Sequence, residues 1–252
     1  MGAVLAGCRA VPVAVDERWR LDLDSIAPGD ADRALCLWVN TPGNPAGGLD
    51  NLAGVAAWGR ETGVPVFSDE CYVEFTWDGT PVVPGGIPGE TILAGDNSGV
   101  VAVHSLSKRS NLAGLRVGFY AGDPDLVGYL SEVRKHAGFM VPGPAQAAAV
   151  AALGSQDEVV HQRERYLGRL EAMRDVLGVM GIEAELPGGG FYLWVEAPDG
   201  DAWGLGRRLA RELGVIGSPG EFYGDDARSY LRLAMVRPER EIELVATRAA
   251  AS

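Results

Sequence analysis

The chain has 252 residues, 47% hydrophobic and 22% charged, with 35 glycines and 15 prolines, a composition that suits one or two buried cores without covalent staples. Acidic side chains outnumber basic ones 34 to 22, for a formal net charge of −12, which argues against nucleic acid or an anionic membrane as partner and for small molecules. Cys8, Cys36 and Cys71 lack the paired spacing of a zinc site and the density of a disulfide scaffold, so no metal is expected and the reducing cytoplasm is the default compartment.

Leu5-Ala6-Gly7-Cys8 has the shape of a lipoprotein cleavage box. Met1 to Val4 supplies neither the basic region nor the apolar core that must precede such a box, so the expectation is a chain neither exported nor inserted in a membrane. No apolar run approaches the roughly 18 residues of a spanning helix.

In chain order, Leu35 to Val39 reads as a buried strand emptying into the rigid loop Asn40-Thr41-Pro42-Gly43-Asn44-Pro45. Asp50 to Thr62 suits a helix capped by Asp50. Val64 to Ser68 is a second strand, ending at Asp69, and Gly99 to His104 a third, ending at Ser105. Val117 to Ala121 makes a fourth strand and Asp125 to Lys135 a helix, with Lys135 and His136 favourably placed at its end. Apolar strands separated by helices imply an α/β layer with a mostly parallel sheet covered on both faces. The charged amphipathic stretch from Gln156 to Met180 reads as a helix bridging two parts of the molecule. Beyond it, Pro187-Gly188-Gly189-Gly190 leads into a strand over Phe191 to Val195, Trp203 to Leu213 is helical, and Tyr230 to Met235 is a strand. The expected division is a large domain over 1–154 and a smaller α+β domain over 155–252.

In parallel sheets ligands bind beyond the carboxyl ends of the strands, and those ends carry Asn44, then Asp69 and Tyr72, then Ser105, Ser107 and Lys108. Each has a plain alternative: Asn44 as a turn residue, Asp69 as a helix cap, Lys108 as a solvated amine. Together they match one chemistry. A lysine amine among polar groups at a sheet edge can attack a carbonyl, a carboxylate can pair with a pyridinium nitrogen, and an amide and a phenol can donate to a ring oxygen. His104 reads as packed interior; His136 has the charge to read a distal carboxylate.

At these residues the sequence resembles the class I/II aminotransferases of the fold-type-I pyridoxal-phosphate enzymes. The likeness runs through Asn44-Pro45-Ala46-Gly47, Ser68-Asp69-Glu70-Cys71-Tyr72, Ser105-Leu106-Ser107-Lys108 with Gly114-Leu115-Arg116-Val117-Gly118, and Tyr230-Leu231-Arg232-Leu233. The resemblance implies that Lys108 forms the imine to pyridoxal 5'-phosphate and shuttles the proton. It makes Asp69 the partner of the ring nitrogen, and Asn44 and Tyr72 the ligands of the ring oxygen. Ser105, Ser107 and Arg116 are implied at the phosphate, and Arg232, with Asn44, at the substrate carboxylate. It is closest to the succinyldiaminopimelate aminotransferases of lysine biosynthesis, through Ser105 to Gly114, Arg134-Lys135-His136-Ala137-Gly138 and Pro219-Gly220-Glu221-Phe222-Tyr223-Gly224. The resemblance implies glutamate and 2-oxoglutarate as the second pair of substrates and, where the N-terminal segment of the family pattern is supplied, a homodimer.

The family pattern places an N-terminal arm, a glycine-rich turn that cups the phosphate and a ring-stacking aromatic ahead of the Leu35 strand. Met1 to Ala34 does not supply them, so the chain reads as N-terminally truncated. The competing readings are a fold-type-I relative that eliminates or decarboxylates, since one carbanion supports several outcomes, and an inactive remnant. Arg232 favours transamination, because a carboxylate held in a fork is not a leaving group.

Overall fold

The computed structural model describes residues 2–77 and 88–251. Met1, on which the leader and start-site readings turn, lies outside them. The first residues form a short helix α1 (Gly2–Leu5) and, after an extended stretch, a second, α2 (Pro28–Ala31). Strand β1 (Leu37–Asn40) then leads through helix α3 (Leu52–Thr62) to β2 (Val66–Asp69), and a short helical turn at Ile92–Ala94 precedes β3 (Val100–Ser105). One turn of helix, α4 (Leu106–Arg109), is followed by β4 (Gly118–Gly122) and the helices α5 (Pro124–Ala137) and α6 (Gly143–Leu153).

These strands form one sheet in the order β1-β2-β3-β4. The first three run parallel in register, and β4 closes the edge antiparallel, with Ser105 opposite Gly118. The expected mostly parallel layer is therefore present, with the runs ending at Asp69 and Ser105 as neighbouring strands. The expectation that it is covered on both faces holds at Val100, Val101 and Ala102 of β3, all buried, but not at β1 and β2. Leu37, Val39, Val66, Val100 and Ala102 pack against Leu52, Val55 and Ala56 of α3 on one side. On the other, Trp38 is 55% exposed and stacks on the half-buried Phe67 at 5.8 Å. The physical reason lies in β1 and β2, which alternate rather than being buried throughout, while α5 contributes no buried residue at all.

A second correction concerns the start of α3. Asn51, not Asp50, is its cap, accepting from Gly54 N at 3.0 Å. The Asp50 carboxylate instead accepts from Leu21 N at 2.7 Å, tying the early extended segment to the β1 loop.

The long helix α7 (Asp157–Val179) follows, then β5 (Tyr192–Glu196), α8 (Ala202–Glu212), the two-residue β6 (Ser218–Pro219), β7 (Tyr230–Ala234) and α9 (Glu239–Ala249). Strands β5, β7 and β6 form a separate antiparallel sheet. Its inward side chains Leu193, Val195, Leu231 and Leu233 meet Leu170, Met173 and Leu177 of α7 and Leu205 and Leu209 of α8. The α7 helix does bridge: its first half sets Tyr166 against Phe75 and Phe191, and its second half enters the core of the small sheet.

The two sheets meet along a backbone seam. Gly189 N donates to Gly47 O at 3.1 Å, Gly190 N to Phe75 O at 2.8 Å, and Trp77 N to Gly188 O at 2.8 Å. Glycine is required here by close approach. A Cβ on Gly47 would stand 2.4 Å from the Pro187 Cβ, and one on Gly189 2.5 Å from the Pro42 ring.

Leu193 is fully buried at the centre of the small-sheet core. Leu193→Ala is expected to remove about 2–5 kcal/mol of stability, measured as a lower midpoint in denaturant with an unchanged slope. A loss below about 0.5 kcal/mol would show that this core is not a cooperative part of the fold.

Candidate active site

Register brings Asn40, Asp69 and Val103 side by side, so the segments leaving β1, β2 and β3 open onto one edge of the sheet. Asn40 Nδ2 and Thr41 N both donate to the Asp69 carbonyl, at 2.9 and 3.2 Å. Glu70 N donates to the Val103 carbonyl at 2.8 Å. The half-buried Asp69 carboxylate accepts from Cys71 N at 3.3 Å. Burial, together with the Asp69 carboxylate that accepts its hydrogen, pushes the Cys71 thiol up to about 12. A thiol held protonated is a poor nucleophile.

Lys108 sits on α4, which Ser105 caps by accepting from Ser107 N at 3.2 Å. Leu106 anchors this turn in the interior. Buried Arg109 anchors its other side, donating to Ala152 O at 2.9 Å and Ser155 O at 3.1 Å and standing 3.3 Å from Glu74. Lys108 is left projecting between two rings, with Nζ 5.9 Å from the centre of Tyr72 and 5.8 Å from that of Phe191. Among the described residues its amine has no ion-pair or hydrogen-bond partner.

Tyr72 is buried, and its hydroxyl lies 2.8 Å from the hydroxyl of Tyr192. Burial first, then the bond to Tyr192, raise the Tyr72 phenol above its ordinary range, so it stays neutral and able to donate. From the small sheet, Arg232 Nη1 donates to Asn44 Oδ1 at 2.8 Å. Its guanidinium carbon lies 4.4 Å from the centre of the Tyr192 ring and 5.1 Å from that of Tyr223. Its Nε is buried and has no partner among the described residues.

The structure thus gathers Asp69, Tyr72 and Lys108 at one edge, and brings Asn44 and Arg232, 188 positions apart, into contact. Arg116 is less engaged. It is exposed, adopts a left-handed conformation with φ of 55°, and donates to Ala113 O at 2.9 Å rather than to either serine. It stands two residues before Gly118, the partner of Ser105, so all three flank the same turn. His136 is exposed beside Glu132.

Two features escape the sequence. Tyr192 follows a glycine run that reads only as a strand entry, and its one signal is the aromatic pair Phe191-Tyr192 set directly after that run. His104 is not simply packed interior: it stacks on Phe119 at 4.9 Å and faces the fully buried Glu70 carboxylate at 3.4 Å. Burial lowers the His104 pKa, against the pull of Glu70.

Among the described residues no helix is long and apolar enough to cross a membrane, and no cluster of ligating side chains could hold a metal. Comparison with known proteins agrees with the geometry. The chain is 39% identical to a 4-dedimethylamino-4-oxo-anhydrotetracycline transaminase of Streptomyces rimosus, over 98% of this chain and 66% of the relative. It is also 39% identical to a probable aminotransferase of Mycobacterium tuberculosis, over 96% of this chain and 55% of that one. The chain thus spans between about half and two thirds of the length of these relatives. Among solved structures, a probable N-succinyldiaminopimelate aminotransferase from Thermus thermophilus superposes with a TM-score of 0.85 at 29% identity, covering 99% of this chain and 67% of that one. The model of the class I and II aminotransferases matches residues 1–248, and the chain belongs to that pyridoxal-phosphate-dependent family.

Proposed function

We propose that this chain holds pyridoxal 5'-phosphate at the carboxyl edge of its larger sheet and transfers an amino group between an amino acid and a 2-oxo acid. The observation that carries the reading is the unpartnered Lys108 amine, walled by Tyr72 and Phe191 and close enough to Cys71 for its charge to act there. The donor set fits the cofactor group by group. An amine is present for the aldehyde, a carboxylate for the ring nitrogen, a neutral phenol and an amide for the ring oxygen, and Ser105, Ser107 and Arg116 around one turn for the phosphate. The buried Nε of Arg232 is a donor with no acceptor among the described residues, which suits a second bond to a substrate carboxylate.

When bound, pyridoxal phosphate supplies a ring that accepts electrons from the substrate α-carbon. Asp69 keeps the proton on the ring nitrogen. Lys108 Nζ would hold the aldehyde carbon of the cofactor, and its amine is the group at this edge that could move a proton at the substrate α-carbon. Arg232 and Asn44 orient the substrate carboxylate and retain it, which favours transamination over decarboxylation or elimination. Residues 1–154 form the cofactor-binding part and 155–252 the smaller domain that delivers Arg232. A cytoplasmic homodimer belongs to the same reading.

For the substrate, the motif likeness and the Thermus thermophilus structure support succinyldiaminopimelate, and the motif likeness alone adds glutamate with 2-oxoglutarate and a place in lysine biosynthesis. A second reading, an anhydrotetracycline-type ketone aminated from glutamate, is favoured by the higher identity to the Streptomyces rimosus transaminase. Assaying glutamate consumption with each acceptor separates them: turnover with the polycyclic ketone and none with the succinylated amino-oxo acid would put the second reading first.

Borohydride reduction of cofactor-treated protein, followed by peptide mapping, is expected to fix the pyridoxyl group on Lys108. Label on any other lysine would sink the assignment. Arg232→Lys is expected to raise KM for amino acids by roughly tenfold or more while leaving the cofactor absorbance in place, because a point charge replaces a planar fork. An unchanged KM would move the carboxylate site elsewhere.

A further inference from the structure

Tyr192 lies where the two halves of the site touch. It is on β5, two positions before Trp194, whose partner across the small sheet is Arg232. Tyr192 and Arg232 are therefore diagonal neighbours on one face, and the guanidinium covers the Tyr192 ring at 4.4 Å. The hydroxyl end of the same side chain reaches out of the small sheet to the Tyr72 hydroxyl, 2.8 Å away. One buried residue thus touches both the ring-oxygen ligand and the carboxylate ligand of the proposed site.

The direction of the hydroxyl bond follows from counting donors. Each tyrosine hydroxyl has one proton to give. The only hydrogen bond that either hydroxyl makes among the described residues is the one they share. If Tyr72 gives its proton to a ring oxygen, it must receive the one from Tyr192. We propose that Tyr192 is a positioning residue that donates to Tyr72, so that the Tyr72 proton points at the cofactor ring oxygen, while its ring holds the Arg232 guanidinium flat for the carboxylate. The ionisable groups around the pair are Lys108 and Cys71 on the large-sheet side, Arg232 beneath the Tyr192 ring and Tyr166 of α7. None of them offers the Tyr72 hydroxyl a hydrogen bond in place of Tyr192. The inference rests on the proposed function and adds a residue to it.

The two ends of Tyr192 can be removed separately. Tyr192→Phe keeps the ring against Arg232 and deletes the donor to Tyr72. A less firmly aimed Tyr72 stabilises the ring oxygen less, so the proton on the nitrogen joining Lys108 to the cofactor is held more tightly. The pH midpoint of the visible absorbance should rise by roughly half a unit or more, with KM for the amino donor within about twofold of the parent. Tyr192→Leu deletes both ends and should shift the midpoint and raise KM together, by roughly fivefold or more. A Tyr192→Phe protein that titrates like the parent overturns the inference even if Tyr192→Leu does not fold. A parent protein that takes up pyridoxal phosphate with no titrating visible band overturns the proposed function, and the inference falls with it.

Discussion

Everything at the candidate site depends on two backbones approaching closer than side chains allow. The Gly188–Gly190 segment lies against Gly47 on one flank and Phe75 to Trp77 on the other, joined by main-chain hydrogen bonds. Those bonds fix the start of β5 relative to the segments leaving β1 and β2. Tyr192 follows at once, and β5 pairs with β7, so the seam sets where Arg232 stands relative to Asn44. A side chain at Gly47 or Gly189 would clash with Pro187, or with Pro42, and wedge the sheets apart. The tight contact holds the geometry of the candidate site because main-chain groups have little freedom to rearrange.

Two arginines brace the seam from behind. Arg163 on α7 donates to the carbonyls of Glu74 and Thr76 and lies over the Trp77 ring at 5.0 Å. Arg109 reaches Glu74 and the carbonyls between α6 and α7. Arg163 adds donors to carbonyls of the turn after β2, and Arg109 to carbonyls at the end of α6 and just beyond it. Burial raises the Glu74 pKa while Arg109 and Arg163 pull it down, so the carboxyl between them depends on both cations. The turn after β2 and the turn that carries Lys108 are thereby locked to the same helix junction, and Asp69 and Lys108 keep their relation.

Much of this is legible in the sequence, for identifiable reasons. Apolar runs that end abruptly in Asn, Asp or Ser mark β1, β2 and β3, because a strand must be apolar where α3 covers it and becomes polar where it leaves the sheet. The chemistry is legible through residue types: an amine, a carboxylate and a phenol following neighbouring strands. The cap of α3 is not, because Asp50 and Asn51 are equally good caps, and the choice falls to a contact with Leu21 that no local pattern encodes. The open face of the sheet is hidden too, because Trp38 and Phe67 are as apolar as buried residues, and hydropathy does not say whether a partner surface is present. The Tyr72–Tyr192 pair joins positions 120 apart, which only the assembled seam brings together.

The unbroken α7 helix has a mechanical consequence. Its 23 residues make a rod of about 34 Å, held near its middle by Tyr166 and Arg163 against the turn after β2 and along its second half by Leu170, Met173 and Leu177 in the small-sheet core. Besides the glycine seam, this rod ties the small sheet to the large one at a second, separate place. The strand that carries Arg232 and the turn after β2 are thereby joined through side-chain packing as well as through the main chain.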